Sequence, residues 1–385
     1  MGNDIFNGAK KLGFGLMRLP LLDKSDEGSI DIEQMKTMVD EYLANGFTYF
    51  DTAWMYCGFK SEPATKTALV DRYPRDSFTL ATKMHVGFIK TAEECETYFN
   101  AQLEKTGAGY FDYYLLHDIN TRSLKKFNSL GAFDFVNEKK AKGLIKHIGF
   151  SFHDSAALLE EFLNEHPGEF EFVQLQFNYL DYNNPGIQSK ACYDVATAHG
   201  VPVIVMEPVK GGTLVNLSDE AKAKFTSFNP GASIASWAVR FAASFDNVKM
   251  VLSGMSSIEQ MKDNISYMKD FRPITPEEQK VIDEVVEVIN GENSIPCTGC
   301  AYCTSGCPQN IAIPQFFALY NAERKENPNR DHAWTSQESY YVMYSRNFAK
   351  ASACIECGQC EEICPQHLPV IEHLKTVADY FEPKK

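Results

Sequence analysis

The chain has no surplus of basic charge: 37 Lys and Arg stand against 51 Asp and Glu, a formal net charge of −14. Nucleic acid and anionic membrane surfaces repel such a chain, so neither is expected as a partner. No apolar run approaches the roughly 18 residues that a membrane span requires. Residues Met1 to Lys11 show no apolar signal segment, and Phe stands at position 6, where a myristoylation motif carries Ser or Thr. The G-x-G-x-x-G fingerprint of open nucleotide-binding sheets is missing too, since Gly13-Phe14-Gly15-Leu16-Met17-Arg18 breaks it. Cys57, Cys95 and Cys192 have no patterned partner and suit a reducing interior, so a cytoplasmic location is expected.

The other eight cysteines form one pattern twice: Cys297-x2-Cys300-x2-Cys303-x3-Cys307-Pro308 and Cys354-x2-Cys357-x2-Cys360-x3-Cys364-Pro365. Zinc ribbons show paired C-x2-C knuckles rather than a triple run closed by proline, and disulfides call for an oxidising compartment. The spacing resembles that of bacterial ferredoxins, which hold [4Fe–4S] clusters this way. That resemblance implies two clusters with crossed ligation. One takes Cys297, Cys300, Cys303 and Cys364; the other takes Cys354, Cys357, Cys360 and Cys307. The repeat extends past the ligands, with Pro308-Gln309-Asn310-Ile311 answering Pro365-Gln366-His367-Leu368.

A chain of 385 residues with 44% apolar side chains buries one large core and leaves room for a smaller domain. From about residue 10 to 270, short apolar runs alternate with amphipathic stretches. Strands are expected at Leu12–Gly15, Thr48–Thr52, Phe78–Lys83, Tyr113–His117, His147–Ser151, Phe172–Gln176, Pro202–Met206 and Lys249–Ser253. Helices are expected at Ile32–Ala44, Ala92–Lys105, Ala156–Glu165, Ile187–His199, Ala232–Ser244 and Ile258–Met268, with Thr91-Ala92-Glu93-Glu94 as a capping box. Eight such units read as an α/β chain, a (β/α)8 TIM barrel over residues 1–272. A linking helix over 273–291 opens at Thr275-Pro276 and stops at Gly291, and a small, mainly helical ferredoxin-like domain occupies 292–385. Within it, Pro314–Arg324 and Ser336–Ala349 are helix-compatible, and Asn327–Asp331 reads as a surface turn.

Chemistry in such barrels sits at the C-terminal ends of strands. Asp51, Lys83 and His117 fall there, and Tyr56 follows Asp51 by five residues. Singly, each has an ordinary structural role available: a barrel ion pair, a loop aromatic, an interior histidine. Together and in this order they resemble the catalytic tetrad of the aldo-keto reductase family, as do Ser61-Glu62 and Ile148-Gly149-Phe150-Ser151. The chemistry is intelligible independently. Carbonyl reduction needs a proton at oxygen, and Tyr56, with an unperturbed pKa near ~10, needs a nearby cation to make it a better acid. Lys83 is the expected cation, Asp51 its partner, and His117 the donor that orients the carbonyl oxygen.

The resemblance further implies a nicotinamide, NADP or NAD. Ser151 and Gln174 take the carboxamide positions, while Phe152 replaces the usual Asn and Met206 the usual ring-stacking aromatic. Pro208, Gly211 and Gly212 belong to the expected pyrophosphate loop, and Gly254, Gln260 and Asn264 to the adenosine end. No Arg or Lys stands at Gly254 or Gln260 to meet a 2′-phosphate, which leaves NAD open. Trp54, His85 and Phe88 point to an apolar or aromatic carbonyl or unsaturated small-molecule substrate.

The whole chain resembles a prokaryotic branch of the family that carries a C-terminal 4Fe–4S domain. Hydride transfer moves two electrons and each cluster takes one. The coupling therefore falls to the two clusters jointly, to a flavin, which no residue specifically demands, or to direct exchange between clusters and substrate that reduces a double bond rather than a carbonyl, with an external electron-transfer protein as a further partner. A conventional carbonyl reductase with a structural or docking cluster domain, and a non-catalytic redox sensor, are the competing readings.

Overall fold

A computed structural model describes all residues except 1–4, 292–293, 298, 328–334, 365 and 383–385. The described chain forms two compact units. The first comprises Met1–Asn178, Ala191–Val209 and Ser233–Thr275; the second comprises Tyr179–Lys190, Lys210–Ala232 and Pro276–Lys385. Among the described residues no helix is long and apolar enough to cross a membrane.

In the first unit eight parallel strands close a barrel in chain order: β1 (Leu12–Gly15), β2 (Tyr49–Asp51), β3 (Thr79–Met84), β4 (Phe111–Ile119), β5 (Ile145–Phe152), β6 (Phe172–Gln176), β7 (Val203–Met206) and β8 (Val248–Ser253). Each expected strand is present. So are the expected helices, at Ile32–Ala44, Ala92–Thr106, Ala156–Glu165, Ser189–Ala198, Ile234–Ala243 and Ile258–Met268. The Thr91 cap differs from expectation: its hydroxyl does not accept from the helix, and Glu94 instead accepts from the Lys90 N–H at 2.7 Å.

Side chains alternate across a strand, so one inward layer fixes the next. Tyr49, Ala81, Tyr113, Leu115, Phe172, Ile204, Met250 and Leu252 form the inner core, closed by Phe6, whose ring stacks on Tyr113 at 5.4 Å. A Cβ at Gly149 would lie 2.5 Å from the Phe172 ring, so only glycine fits there. Two residues further along their strands stand Asp51, Lys83, His117, Ser151, Gln174 and Met206. The polar layer is the next storey of the apolar one.

The second unit is helical, with long helices at Pro276–Gly291, Ile313–Glu326, Ser336–Asn347 and Val370–Phe381. Gly291 is the last residue of its helix rather than the stop beyond it. Of the expected surface turn, Asn327 is buried and bonds Glu323 Oε1 at 3.3 Å, and the rest lies outside the described residues. Ile187, Phe316, Phe317, Tyr340, Cys360, Leu374 and Val377 share one core, against which Cys297, Cys303, Cys307, Cys354 and Cys364 pack. The two cysteine motifs fold alike. Left-handed backbone occurs at Gly299 and Ala301, and at Glu356 and Gly358 in the same places of the second motif. Asn310 and His367 repeat the correspondence, and short helices at Tyr302–Ser305 and Gln359–Glu362 complete it.

Candidate active site and cysteine cavities

Lys83 is the centre of the barrel site. Its Nζ donates to Asp51 Oδ1 at 2.5 Å and to the Thr52 carbonyl at 2.8 Å, with both side chains of the ion pair sealed from solvent. Burial disfavours charge on Lys83, but Asp51 and Tyr56 outweigh it and hold the ammonium above its ordinary range. Gln174 Nε2 donates to Asp51 Oδ2 at 3.2 Å, which leaves the carboxylate paired on both oxygens.

Tyr56 stands over this pair, with Lys83 Nζ 4.9 Å from its ring centre and the His117 ring 6.1 Å away at 83°. Burial raises the Tyr56 hydroxyl above its ordinary pKa, and the opposing pull of Lys83 does not offset it. The expectation that Lys83 lowers this group therefore holds for one contribution and fails for the sum. The hydroxyl is protonated at neutral pH. Burial, with Lys83, His85 and His153 nearby, keeps His117 well below the usual histidine range, so its ring is neutral, and its Nδ1 has no partner.

Tyr56 enters the site through a strained loop. Cys57, Gly58 and Phe59 all have positive φ, which costs an ordinary residue ~1–2 kcal/mol. Ser61 anchors it from below, bonding Thr52 Oγ1 and the Leu16 carbonyl at 2.8 Å each. Buried Glu62 accepts from Thr82 Oγ1 and Gln102 Nε2, both at 2.8 Å, and burial pushes its carboxyl up. Trp54 stacks on Tyr98 at 4.3 Å beneath Lys105 Nζ, 3.3 Å from a Trp54 ring centre.

The nicotinamide candidates separate into groups. Ser151 is fully buried, and its Oγ accepts from the Asp118 N–H at 2.8 Å. Met206 is partly exposed at the end of β7, and Pro208 is buried just beyond it. At the β8 end, Asn264 is buried with its Oδ1 unpartnered, its Nδ2 donating to the Gln260 carbonyl at 2.8 Å. Exposed Gln260 accepts from the Ser256 N–H at 2.7 Å. Gly211 and Gly212 lie in the second unit, beside Lys210, whose buried Nζ bonds both oxygens of Asp181 at 2.8 and 2.9 Å.

Three functional-looking features escaped sequence reasoning. Arg18 pairs with Glu207 at 2.9 Å, and its side chain covers Gly254. Asp118 sits in left-handed backbone beside His117. The buried Lys210–Asp181 pair joins segments distant in sequence. Of these, only the His117-Asp118 dipeptide near the end of β4 offers any local signal.

In the second unit, four cysteines line each of two open cavities. Cys297, Cys300, Cys303 and Cys364 line one with Ile313, Phe317 and Leu368. Cys307, Cys354, Cys357 and Cys360 line the other with Ile311, Ile371 and Leu374. Each cavity thus takes three cysteines from one motif and the fourth from the other. Backbone N–H groups of Gly299 and Ile311 point at Cys297 Sγ and Cys307 Sγ, both at 3.5 Å. Among the described residues no three His, Cys, Asp or Glu side chains come close enough to hold a single ion.

A closed barrel of eight parallel strands with helices between them is a TIM barrel. The chain belongs to the aldo/keto reductase family, whose model matches residues 11–287, and its C-terminal helical region, residues 296–368, matches a 4Fe-4S dicluster domain. L-galactose dehydrogenase from Arabidopsis thaliana is 23% identical over 282 residues, 68% of this chain and 86% of that protein. A Klebsiella pneumoniae aldo-keto reductase solved with NADPH superposes with a TM-score of 0.57 at 19% identity, over 72% of this chain and 91% of that one. The holo form of a Bacillus halodurans aldo-keto reductase gives 0.57 at 24% identity, over 71% and 91%. A component of an ion-translocating oxidoreductase complex from Buchnera aphidicola is 31% identical over 77 residues, 20% of this chain and 12% of that protein.

Proposed function

We propose that the chain is a nicotinamide-dependent carbonyl oxidoreductase whose two [4Fe–4S] clusters lie on its electron path. The observation that carries the reading is the stacking of a protonated Tyr56 over the sealed Lys83–Asp51 pair, with a neutral His117 beside it. When bound, nicotinamide exchanges a hydride, and the clusters exchange electrons singly.

The chain's own residues do the rest. Tyr56 holds the proton that a carbonyl oxygen needs as it becomes an alkoxide. Lys83 is the nearest cation to the tyrosinate left behind, and Asp51 keeps Lys83 charged and still. His117, neutral, donates one N–H to the same oxygen. The residues that fit a nicotinamide nucleotide are Ser151, Gln174 and Met206 at the ring. The unpartnered Oδ1 of Asn264 and the backbone at Gly254 suit the adenosine end, and a neighbouring structure was solved with NADPH.

The cysteine sets fit the clusters. Each cavity offers four sulfurs, an apolar lining and, in one case apiece, a backbone N–H to a sulfur, the usual means of tuning cluster potential. A short stretch of an ion-translocating oxidoreductase complex is a relative, which suits exchange with an external electron-transfer protein. The test is anaerobic oxidation of NADH and NADPH with a carbonyl panel, wild type against Tyr56→Phe. Reduction that vanishes in the variant supports the reading; a rate equal in both refutes it.

A further inference from the structure

One buried side chain outside the tetrad bonds to three of the segments that carry it. Side chains alternate across a strand, so where Ala81, Tyr113 and Leu115 face the inner core, Thr82 and Tyr114 face the surrounding helices. Thr82 and Tyr114 are register partners across β3 and β4. Gln102, on the helix Ala92–Thr106, meets them from that side. Its Nε2 donates to the Lys83 carbonyl at 3.1 Å, to Thr82 Oγ1 at 3.1 Å and to Glu62 Oε1 at 2.8 Å. Its Oε1 accepts from the Tyr114 hydroxyl at 2.7 Å. One amide thereby joins Lys83 itself, the segment that leads from Tyr56 to Glu62, and the strand that leads from Tyr114 to His117.

The knot is dry and has little to spare. Thr82, Gln102 and Tyr114 are 0% exposed and Glu62 1%, so each bond lost leaves a buried polar group unpaired. Glu62 takes both of its hydrogen bonds on Oε1, while Oε2 has no hydrogen-bond partner and faces Lys105 Nζ at 4.0 Å. The Tyr56 segment needs such a hold, because Cys57, Gly58 and Phe59 are all in left-handed backbone. Strain of that kind persists only where the surroundings over-determine it. Ser61 ties the segment to Leu16 and Thr52, and Glu62 ties it to β3 and to Gln102.

We propose that Gln102 is a positioning residue for the reaction, holding Tyr56, Lys83 and His117 in mutual register by bonding their three segments at one amide. The proposal rests on the roles given to those three residues above. None of the four bonds involves Ser151, Gln174, Met206 or Asn264, so alignment is separable from nucleotide binding. A misplacement of about 1 Å at the reacting groups is enough to cost about 10²-fold in rate.

The test compares Gln102→Met and Tyr114→Phe with wild type, as cluster-replete full chains under anaerobic conditions. Met keeps the length of the side chain and removes all four bonds; Phe at 114 removes one. In a single turnover followed by nicotinamide absorbance, the amplitude counts competent enzyme and the rate constant reports alignment. The rate constant is expected to fall about 10- to 10²-fold in Gln102→Met and less in Tyr114→Phe, with nucleotide affinity unchanged. A fall in amplitude alone, which is what a purely folding role gives, overturns the proposal, as does a rate constant unmoved in both variants. If Gln102→Met yields no folded protein, Tyr114→Phe decides. Hydrogen–deuterium exchange over residues 53–62 is read on the same proteins and does not depend on turnover. If wild type reduces no carbonyl, the reductase reading falls and exchange alone decides: faster exchange in the variants keeps Gln102 as the holder of the Tyr56 segment, and unchanged exchange removes it.

Discussion

Lys83 and Asp51 meet at 2.5 Å where water does not reach either, their side chains 0% and 3% exposed. Such a pair is held together by the cost of separating it. Asp51→Asn leaves a buried ammonium without its counter-charge, and a loss of about 3–5 kcal/mol in stability is expected. The double variant Asp51→Leu/Lys83→Met removes both charges and is expected to recover most of that stability while remaining inactive. Denaturant unfolding of both proteins checks it.

Tyr56→Phe keeps the ring over Lys83 and removes only the hydroxyl that carries the proton. Loss of a positioned general acid lowers kcat by about 10²–10⁴. The fold is expected to be unaffected, so the same protein gives an unchanged thermal transition and a collapsed rate.

Acid sensitivity of the barrel has a named contributor in Glu171. Burial opposes its charge, yet His147 at 2.8 Å, Lys140 at 2.5 Å and the Ile148 N–H at 3.0 Å hold its carboxyl down to about 2. In the unfolded chain a glutamate titrates near ~4.3. The folded pKa is the lower one, so its stabilisation is complete above about pH 4.3 and fades as pH falls toward 2. Glu171→Gln is expected to cost about 1.5–3 kcal/mol at pH 7, the worth of hydrogen bonds to a charged group. Unfolding midpoints of the two proteins then converge between pH 4 and pH 2.

Crossed ligation makes a prediction that linear ligation does not. Cys307 and Cys357 line the same cavity, so Cys307→Ser/Cys357→Ser is expected to damage one cluster and keep about half the iron. Cys303→Ser/Cys307→Ser, confined to one motif, is expected to damage both. Iron content and electron paramagnetic resonance of the reduced proteins read the difference.

What was legible in the chain was local. Eight apolar runs became eight strands because each is short, buried and bounded by helix caps. That Asp51, Tyr56, Lys83 and His117 lie together follows from strand ends, and the pairing of the cysteine motifs from spacing. What stayed hidden depends on contacts between distant segments. Ile187 looks like the start of a barrel helix, yet it packs in the core with Phe316 and Phe317. Lys210 sits in a glycine-rich loop that suggests phosphate, but its ammonium is buried on Asp181. The net rise of the Tyr56 pKa is invisible for the same reason, since burial is a property of the packed barrel and not of the residues beside Tyr56.

The central claim is that the barrel's hydride chemistry and the clusters belong to one electron path. The most direct measurement is an anaerobic visible-absorbance titration of cluster-replete protein with NADH and then NADPH. Bleaching of the broad iron–sulfur band with one of them is the predicted result, and a flavin spectrum beneath it identifies a converter. A band that stays unbleached while the same sample reduces carbonyls with NAD(P)H contradicts the account and leaves the clusters as spectators.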